Sequence, residues 1–273
     1  MNAYLAITKQ EASNKGSKLY RVVNGDLQNT KGEFYRQLIK EYQADWKQSC
    51  IWYEQRYEQY STKLHDTLGD SRCIEFEMAS ISPLLIGHGG VFALETSLML
   101  HRIYGVSYIP GSAIKGVAAN YCHCMLGAEN PAFLSDGEYY EALFGSQDQA
   151  GYINYEDAWV TPATAGSALI DDVMTPHHQN YNSIQLQQTD QQKASAPRDD
   201  DDPVPLPFLA VNASFRFLLT CPSDRVEKED ARQWLNIAQE IVSHALQYEG
   251  IGGKTNAGYG RMLQADRRER NDG

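Results

Sequence analysis

The chain has 273 residues, 42% of them hydrophobic, with a formal net charge of −11 and five cysteines. This is apolar sequence enough for one large domain or two small ones without staples, and the acidity argues against a free-standing, non-specific nucleic-acid binder, which carries a basic face. The odd cysteine count rules out a simple disulfide ladder, and with no signal peptide and no apolar run long enough for a bilayer the expected compartment is a reducing cytoplasm, with no membrane partner.

Residues 1–30 are polar and weakly patterned. Over residues 33–68, Phe34, Leu38, Tyr42, Trp46, Cys50, Tyr53, Tyr57, Tyr60, Leu64 and Leu68 recur every three or four positions, which predicts one long helix or a helical hairpin with an aromatic face. Alternation from Cys73 through Ile74, Phe76 and Met78 predicts a half-buried strand, closed by Pro83. A second extended segment is expected over residues 93–100. Pro110 biases Ile109 away from helix, and Ser112 is suited to cap a helix running through Ile114, Val117, Ala118 and Tyr121. Residues 151–160 read as another strand. Residues 161–207 are rich in Pro, Gln, Asp and Ser with little periodicity, the mark of a functional loop or an insertion. A strand is expected over 208–220, then a helix opened by Asp230 with an apolar stripe through Trp234, Ile237, Ile241 and Ala245. Gly250 ends it, and residues 259–263 supply a last strand.

Strand, helix, strand, strand, helix, strand is the order of an α+β, ferredoxin-like (RRM-like) split βαβ fold. Residues 1–70 form a helical N-terminal extension to it, and residues 71–273 the main domain with its irregular insertion at about 161–207.

Residues 250–260, Gly-Ile-Gly-Gly-Lys-Thr-Asn-Ala-Gly-Tyr-Gly, hold five glycines. Without Cβ atoms, successive amides can turn inward at positive φ and form a nest for an anion, to which Lys254 adds a charge. A P-loop needs a glycine where Tyr248 stands, and a dinucleotide fingerprint opens a helix where this run follows one. A second anion-friendly segment is the helix start at Gly111, Ser112 and Lys115, where amides lack internal partners and the helix dipole is positive. Two such segments suit a polyphosphate backbone better than one small ligand.

Cys122, His123 and Cys124 with His101, and the pair His177 and His178, lack the paired spacing of a zinc site, so no metal and no cofactor are expected. Asp171, Asp172, His177 and His178 form a dense titratable cluster read as loop anchoring or RNA contact.

The glycine run with Arg261 after it, and the Tyr-Ile-Pro-Gly-Ser-Ala-Ile-Lys-Gly segment at 108–116, resemble two motifs of the RAMP superfamily of CRISPR proteins. Leu94-Glu95-Thr96 leading into Tyr104 to Tyr108, and Asp172 to His178 followed by residues 203–211, look like the Cmr branch of that superfamily, the subunits of type III-B effector complexes. The resemblance spans about residues 74–265. It implies a non-catalytic subunit of an antiviral ribonucleoprotein, at the 3′ end of the CRISPR guide RNA and capping a filament of backbone RAMP proteins. The implied partners are guide and target RNA, the other Cmr subunits and their small helical subunit.

By the same resemblance Gly111, Ser112, Lys115, Gly252, Gly253, Lys254, Thr255, Asn256, Gly258 and Arg261 approach the RNA, with His88, His177 and His178 as further RNA or subunit contacts and no catalytic residue. Multivalency answers the charge problem, because neighbouring subunits supply other phosphate contacts. Two alternatives stay open: a metal-independent endoribonuclease using His88 or His177, and a protein scaffold whose interface is the aromatic helix around Trp46 and Tyr53.

Overall fold

The computed structural model describes residues 2–8, 22, 27–88, 94, 98–175 and 205–264. A short helix, α1 (Ala3–Thr8), is capped by Asn2, whose side-chain oxygen accepts from the Leu5 amide at 3.1 Å. The Asn2 side-chain amide donates to the carbonyls of Arg102 and Ile103, both at 2.8 Å, so the cap also moors α1 to the main body.

The aromatic periodicity resolves into one uninterrupted helix, α2 (Leu27–Leu68), and a hairpin is ruled out. Its 42 residues extend about 63 Å at 1.5 Å per residue. Tyr35, Leu38, Tyr42, Tyr53 and Tyr57 are buried along one stripe, and the rings of Tyr42, Trp46, Tyr53 and Tyr57 follow one another at centroid distances of 5.6–5.9 Å. The extension is therefore part of the core.

Strand β1 (Cys73–Ser80) lies inside an antiparallel sheet. The other strands are β2 (Tyr108–Ile109), β3 (Asn154–Tyr155), β4 (Ala158–Val160), β7 (Ser214–Thr220) and β8 (Met262–Gln264), with the order β2-β4-β7-β1-β8 and β3 also paired to β7. β1 pairs with β7 from Cys73↔Thr220 to Ala79↔Ser214, and with β8 from Met78↔Gln264 to Ser80↔Met262. Helix α3 (Gly111–Tyr121) joins β2 to the middle of the chain, α4 (Glu138–Phe144) follows it, and α5 (Lys228–Tyr248) joins β7 to the segment before β8.

Because side chains alternate across a strand, Ile74, Phe76 and Met78 share one face of the sheet with Phe215, Phe217 and Leu219. There Phe76 stacks on Phe217 at 5.3 Å. Leu235, Ala238, Val242, Ala245 and Leu246 of α5 are all buried in the same core. The opposite face carries Glu75 and Arg216 toward α2. Arg216, 5% exposed, donates to the Tyr57 carbonyl, lies 3.4 Å over the Tyr57 ring and pairs with Glu75 at 3.6 Å. Both faces of β7 are thus covered, although Phe215, Phe217 and Leu219 alternate with Ser214, Arg216 and Thr220 at its ends and centre.

Three expectations need correction. The single strand over 208–220 is two: β6 (Leu206–Val211) pairs with β5 (Leu169–Met174) in a separate two-stranded sheet, and the chain bends at Asn212 and Ala213 before β7. The bend is held by Ser80, whose hydroxyl accepts from the Ala213 amide at 2.7 Å. The irregular stretch at 161–207 opens instead with a helical turn, Pro162–Ala165, and with β5; Asp171 and Asp172 break the apolar rhythm that would have revealed that strand, and residues 176–204 lie outside the described residues. The strand over 151–160 is interrupted at Glu156 and Asp157. Of the extended segment expected at 93–100, only the isolated bridge Leu100↔Ser107 falls among the described residues.

The stacked pair at the centre of the sheet gives a direct check. Phe217→Ala should lower the stability read from a urea transition by about 3–5 kcal/mol, whereas the exposed Ile237→Ala should stay within about 0.5 kcal/mol of the parent.

Candidate nucleic-acid interface

Gly250 follows the last turn of α5 at φ 79°, and its amide donates to the Ala245 carbonyl at 3.0 Å. The glycine run then folds back on the segment after β1. Gly253 donates to the Leu85 carbonyl at 2.8 Å, Gly260 to that of Pro83 at 2.8 Å, and Ile251 to that of Gly260 at 2.9 Å. These bonds close the run into a loop whose tip is a turn of 3-10 helix, Thr255–Ala257, flanked by two left-handed residues, Lys254 at φ 60° and Gly258 at φ 90°. Lys254 is the only non-glycine at positive φ among the described residues.

The glycines do different work. At Gly260, φ 79°, a Cβ would run into the carbonyl oxygen of Ile251, so bareness there serves the fold. At Gly258 a Cβ would meet nothing within 4 Å. The tip residues Asn256 and Gly258 are exposed, Gly252 is exposed at the base, and Gly253, Lys254 and Thr255 are half-buried.

Around this loop the structure gathers residues far apart in sequence. The Tyr259 hydroxyl donates to Asp172 of β5 at 2.7 Å, and burial, reinforced by that carboxylate, pushes the phenol pKa up to about 12. Phe208 of β6 meets the Tyr259 ring at 6.1 Å and the His88 ring at 6.3 Å, forming with Leu85 and Ala210 a second small core. His88 lies against Gly253. Its pKa is lowered, first by burial and then by the Lys254 charge, so the neutral imidazole is favoured at pH 7. The expected contact at His88 thus sits at the loop. His177 and His178 lie outside the described residues.

Arg261 is committed internally in part: its guanidinium donates to the Gln247 carbonyl at 3.3 Å and its amide to the Ser82 hydroxyl at 3.0 Å, so it caps the C-terminal end of α5. Asp172 accepts from the Val173 amide as well as from Tyr259.

At the second segment the helix begins one residue before the expected cap, with Pro110 in the cap position and no side-chain cap of its own. The Gly111 amide instead donates to the carboxylate of Asp157 at 2.8 Å. The break between β3 and β4 positions this carboxylate. Gly111 is buried, and a Cβ there would collide with the Tyr155 carbonyl, so its bareness permits a close approach of helix to strand and does not serve a ligand. Ser112 and Lys115 are exposed and border a concavity of about 300 Å³ with Asn154 and Glu156.

The two segments sit at opposite ends of α3. Asn120, near its far end and about 14 Å along the helix axis from Gly111, donates to Glu249 at 3.1 Å, next to Gly250. Sequence reasoning missed Asp157, Tyr259 and Phe208 as members of this region. Each acts through a contact across the fold, with no local pattern to announce it.

A family model described as the RAMP superfamily matches residues 77–263. The chain belongs to the RAMP superfamily. Among curated proteins it resembles the CRISPR system Cmr subunit Cmr6 of Pyrococcus furiosus, 26% identical over 262 positions and spanning 76% of this chain and 73% of that one. It also resembles the Cmr6 subunit of Saccharolobus solfataricus, 26% identical over 191 positions, 68% of this chain and 56% of that one. Among solved structures, a chain of the type III-B Cmr-beta complex bound to cognate target RNA aligns with a TM-score of 0.55 at 20% identity, a likeness of fold. The alignment covers 77% of this chain, which spans 65% of that longer one. Among the described residues no helix is long and apolar enough to cross a membrane.

Two measurements check the loop. Gly258→Ala should cost about 1–2 kcal/mol, the penalty of a left-handed backbone alone, and Gly260→Ala clearly more, because the collision with Ile251 adds to it. In a proton NMR titration His88 should have its midpoint below the ordinary value of about 6.5, and Lys254→Ala should restore only part of the shift, since burial is its larger cause. With the folded pKa below the unfolded one, the stability linked to His88 is whole above the unfolded value and declines as pH falls through the folded one.

Proposed function

We propose that this chain is a subunit of a type III-B CRISPR ribonucleoprotein, that it binds the 3′ region of the guide RNA through the loop at 252–258 and the start of α3, and that it caps the filament of backbone subunits in the cytoplasm as part of antiviral defence. The observation that carries the reading is the loop tip: Lys254 held at φ 60° and Gly258 facing open space, with Thr255 and Asn256 between them. Backbone amides, one ammonium and small polar side chains bind a phosphate chain without reading bases. Lys115, on a separate helix and bordering a separate concavity, adds a second cation, which favours a polymer. The Cmr6 relatives support the assignment to a Cmr complex, and the solved neighbour is bound to target RNA. By the same reading the other Cmr subunits are this chain's partners.

The fold reading is the ferredoxin-like split βαβ: β1, α3, β4, β7, α5 and β8 follow in chain order, and β4-β7-β1-β8 in space supports it. We assign the chain no catalysis. Asp172 is held by Tyr259 and the Val173 amide.

The double variant Lys115→Ala, Lys254→Ala tests the reading. In the assembled complex and in the isolated chain, guide-RNA affinity should fall, and the slope of its logarithm against log salt should flatten by about 1.4, two contacts at roughly 0.7 each for a single strand. Unchanged affinity and slope would overturn it.

A further inference from the structure

Between α2 and the sheet lies a cleft of about 410 Å³ that shares no residue with the loop or with the start of α3. That size lies within the roughly 300–1,000 Å³ that hold a small molecule. Its wall is aromatic. Tyr53 meets Tyr57 at 5.9 Å, Tyr104 at 5.7 Å and Trp159 at 6.4 Å, while its hydroxyl donates to the Val160 carbonyl and holds the ring in place. Trp159 is backed by Tyr108, stacked at 5.6 Å.

The charges are one-sided. Arg56 and Lys63 are exposed on α2 at the mouth, Arg216 lies in the floor, and no carboxylate lines the cleft, in a chain whose net charge is −11. Among the described residues neither Arg56 nor Lys63 makes an ion pair; Arg56 only meets Gln59 of its own helix, at 3.3 Å. Of the acids around the cleft, Glu75 is engaged by Arg216 and Ser61 and Glu156 by the Tyr60 hydroxyl, while Glu58 and Glu77 act on Tyr57 and Asp157 on His101 from outside the lining. The Tyr57 hydroxyl is buried without a hydrogen-bond partner, on a residue only 7% exposed. An unmade bond at a buried hydroxyl costs free energy, and here the atom belongs to a side chain that lines a cavity. The His101 ring accepts the amides of Ile103 and Tyr104 at Nδ1, which leaves its proton on Nε2 as a donor.

Arg216 is committed to Glu75 and Tyr57, which leaves Arg56 and Lys63 for a ligand; an apolar ligand would gain nothing from those two cations, and a bare anion nothing from five aromatic rings. We propose that this cleft binds a single ribonucleotide unit, its base against the Tyr53, Tyr104 and Trp159 wall and its phosphate at Arg56 and Lys63. Aromatic faces stack bases without regard to sequence, and paired cations hold a phosphate oxygen by charge-assisted bonds. The Tyr57 hydroxyl and the His101 Nε2–H then serve the polar edge of the base. The inference is independent of the guide-RNA reading, because a free nucleotide and one unit of a single strand present the same chemistry here.

The test is tryptophan fluorescence of the full chain titrated with uridine monophosphate, adenosine monophosphate and a ten-nucleotide oligouridylate. Quenching by the monophosphates identifies a free-nucleotide site, and quenching by the oligomer alone a base taken from a strand; either supports the proposal. Arg56→Ala with Lys63→Ala should weaken the quenching ligand about tenfold and lower its salt slope by about 1.4, and Trp159→Phe should remove most of the quench while leaving the fold intact by circular dichroism. Ile237→Ala, exposed on α5 and outside both regions, should leave the quench unchanged, and a loss of monophosphate quenching on Arg56→Ala with Lys63→Ala is read independently of guide-RNA affinity, which separates failure here from failure of the guide-RNA reading. Absence of quenching by all three ligands at millimolar concentration, or quenching that survives both Arg56→Ala, Lys63→Ala and Trp159→Phe, would overturn the proposal.

Discussion

The amides of Gly253 and Gly260 donate to the carbonyls of Leu85 and Pro83, and on this clasp between two backbones the candidate interface depends. It ties the segment leaving β1 to the segment entering β8, two neighbouring strands whose side chains could not otherwise fix the path of the chain beyond the sheet. Once the loop is pinned, Tyr259 reaches Asp172, Phe208 fits between Tyr259 and His88, and the β5–β6 hairpin gains a place to pack. The cradle is therefore built mainly from bonds that satisfy the fold, and only the exposed tip is left for a ligand.

A second joint has a different character. The buried Arg216 fastens α2 to the sheet through the Tyr57 carbonyl, the Tyr57 ring and Glu75. A guanidinium so placed is expensive to desolvate and becomes favourable only when all of its partners are present, so it specifies where the helix docks as well as adding to its hold. The aromatic cleft exists because of this joint: α2 lies at the distance that Arg216 and Tyr57 set, and the rings of Tyr53, Tyr104 and Trp159 fill only part of the gap.

Periodicity carried the helices well. The aromatic stripe on α2, the apolar stripe on α5 and the glycine stop at 250 are all visible in residue spacing, because each element is amphipathic and long. Strands were legible where one face is wet. β1 alternates and was found; the alternation at Phe215, Phe217 and Leu219 carries back through Ala213 and Val211 across the bend, so β7 and β6 read as one strand. β5 was hidden by Asp171 and Asp172. The site was half legible: glycine composition marks a loop, but whether a given glycine faces a ligand or another backbone is decided by residues far away in sequence. Gly111 shows the difference, since the Tyr155 carbonyl that requires its bareness and the Asp157 carboxylate that takes its amide are both more than forty positions distant.

The unequal surroundings of the glycines bear on how this loop can be read in related chains. Gly260 is locked by the Ile251 carbonyl, and any descendant that keeps the fold must keep it, whatever the loop does. Its persistence through evolution would record folding. Gly258 faces open space, so selection for the fold asks only for a residue tolerant of its backbone angle, such as asparagine. A line in which nothing bound the loop tip would drift at 258 and stand still at 260, and the contrast between those two positions, more than the glycine count, is where a binding role of the loop would be written.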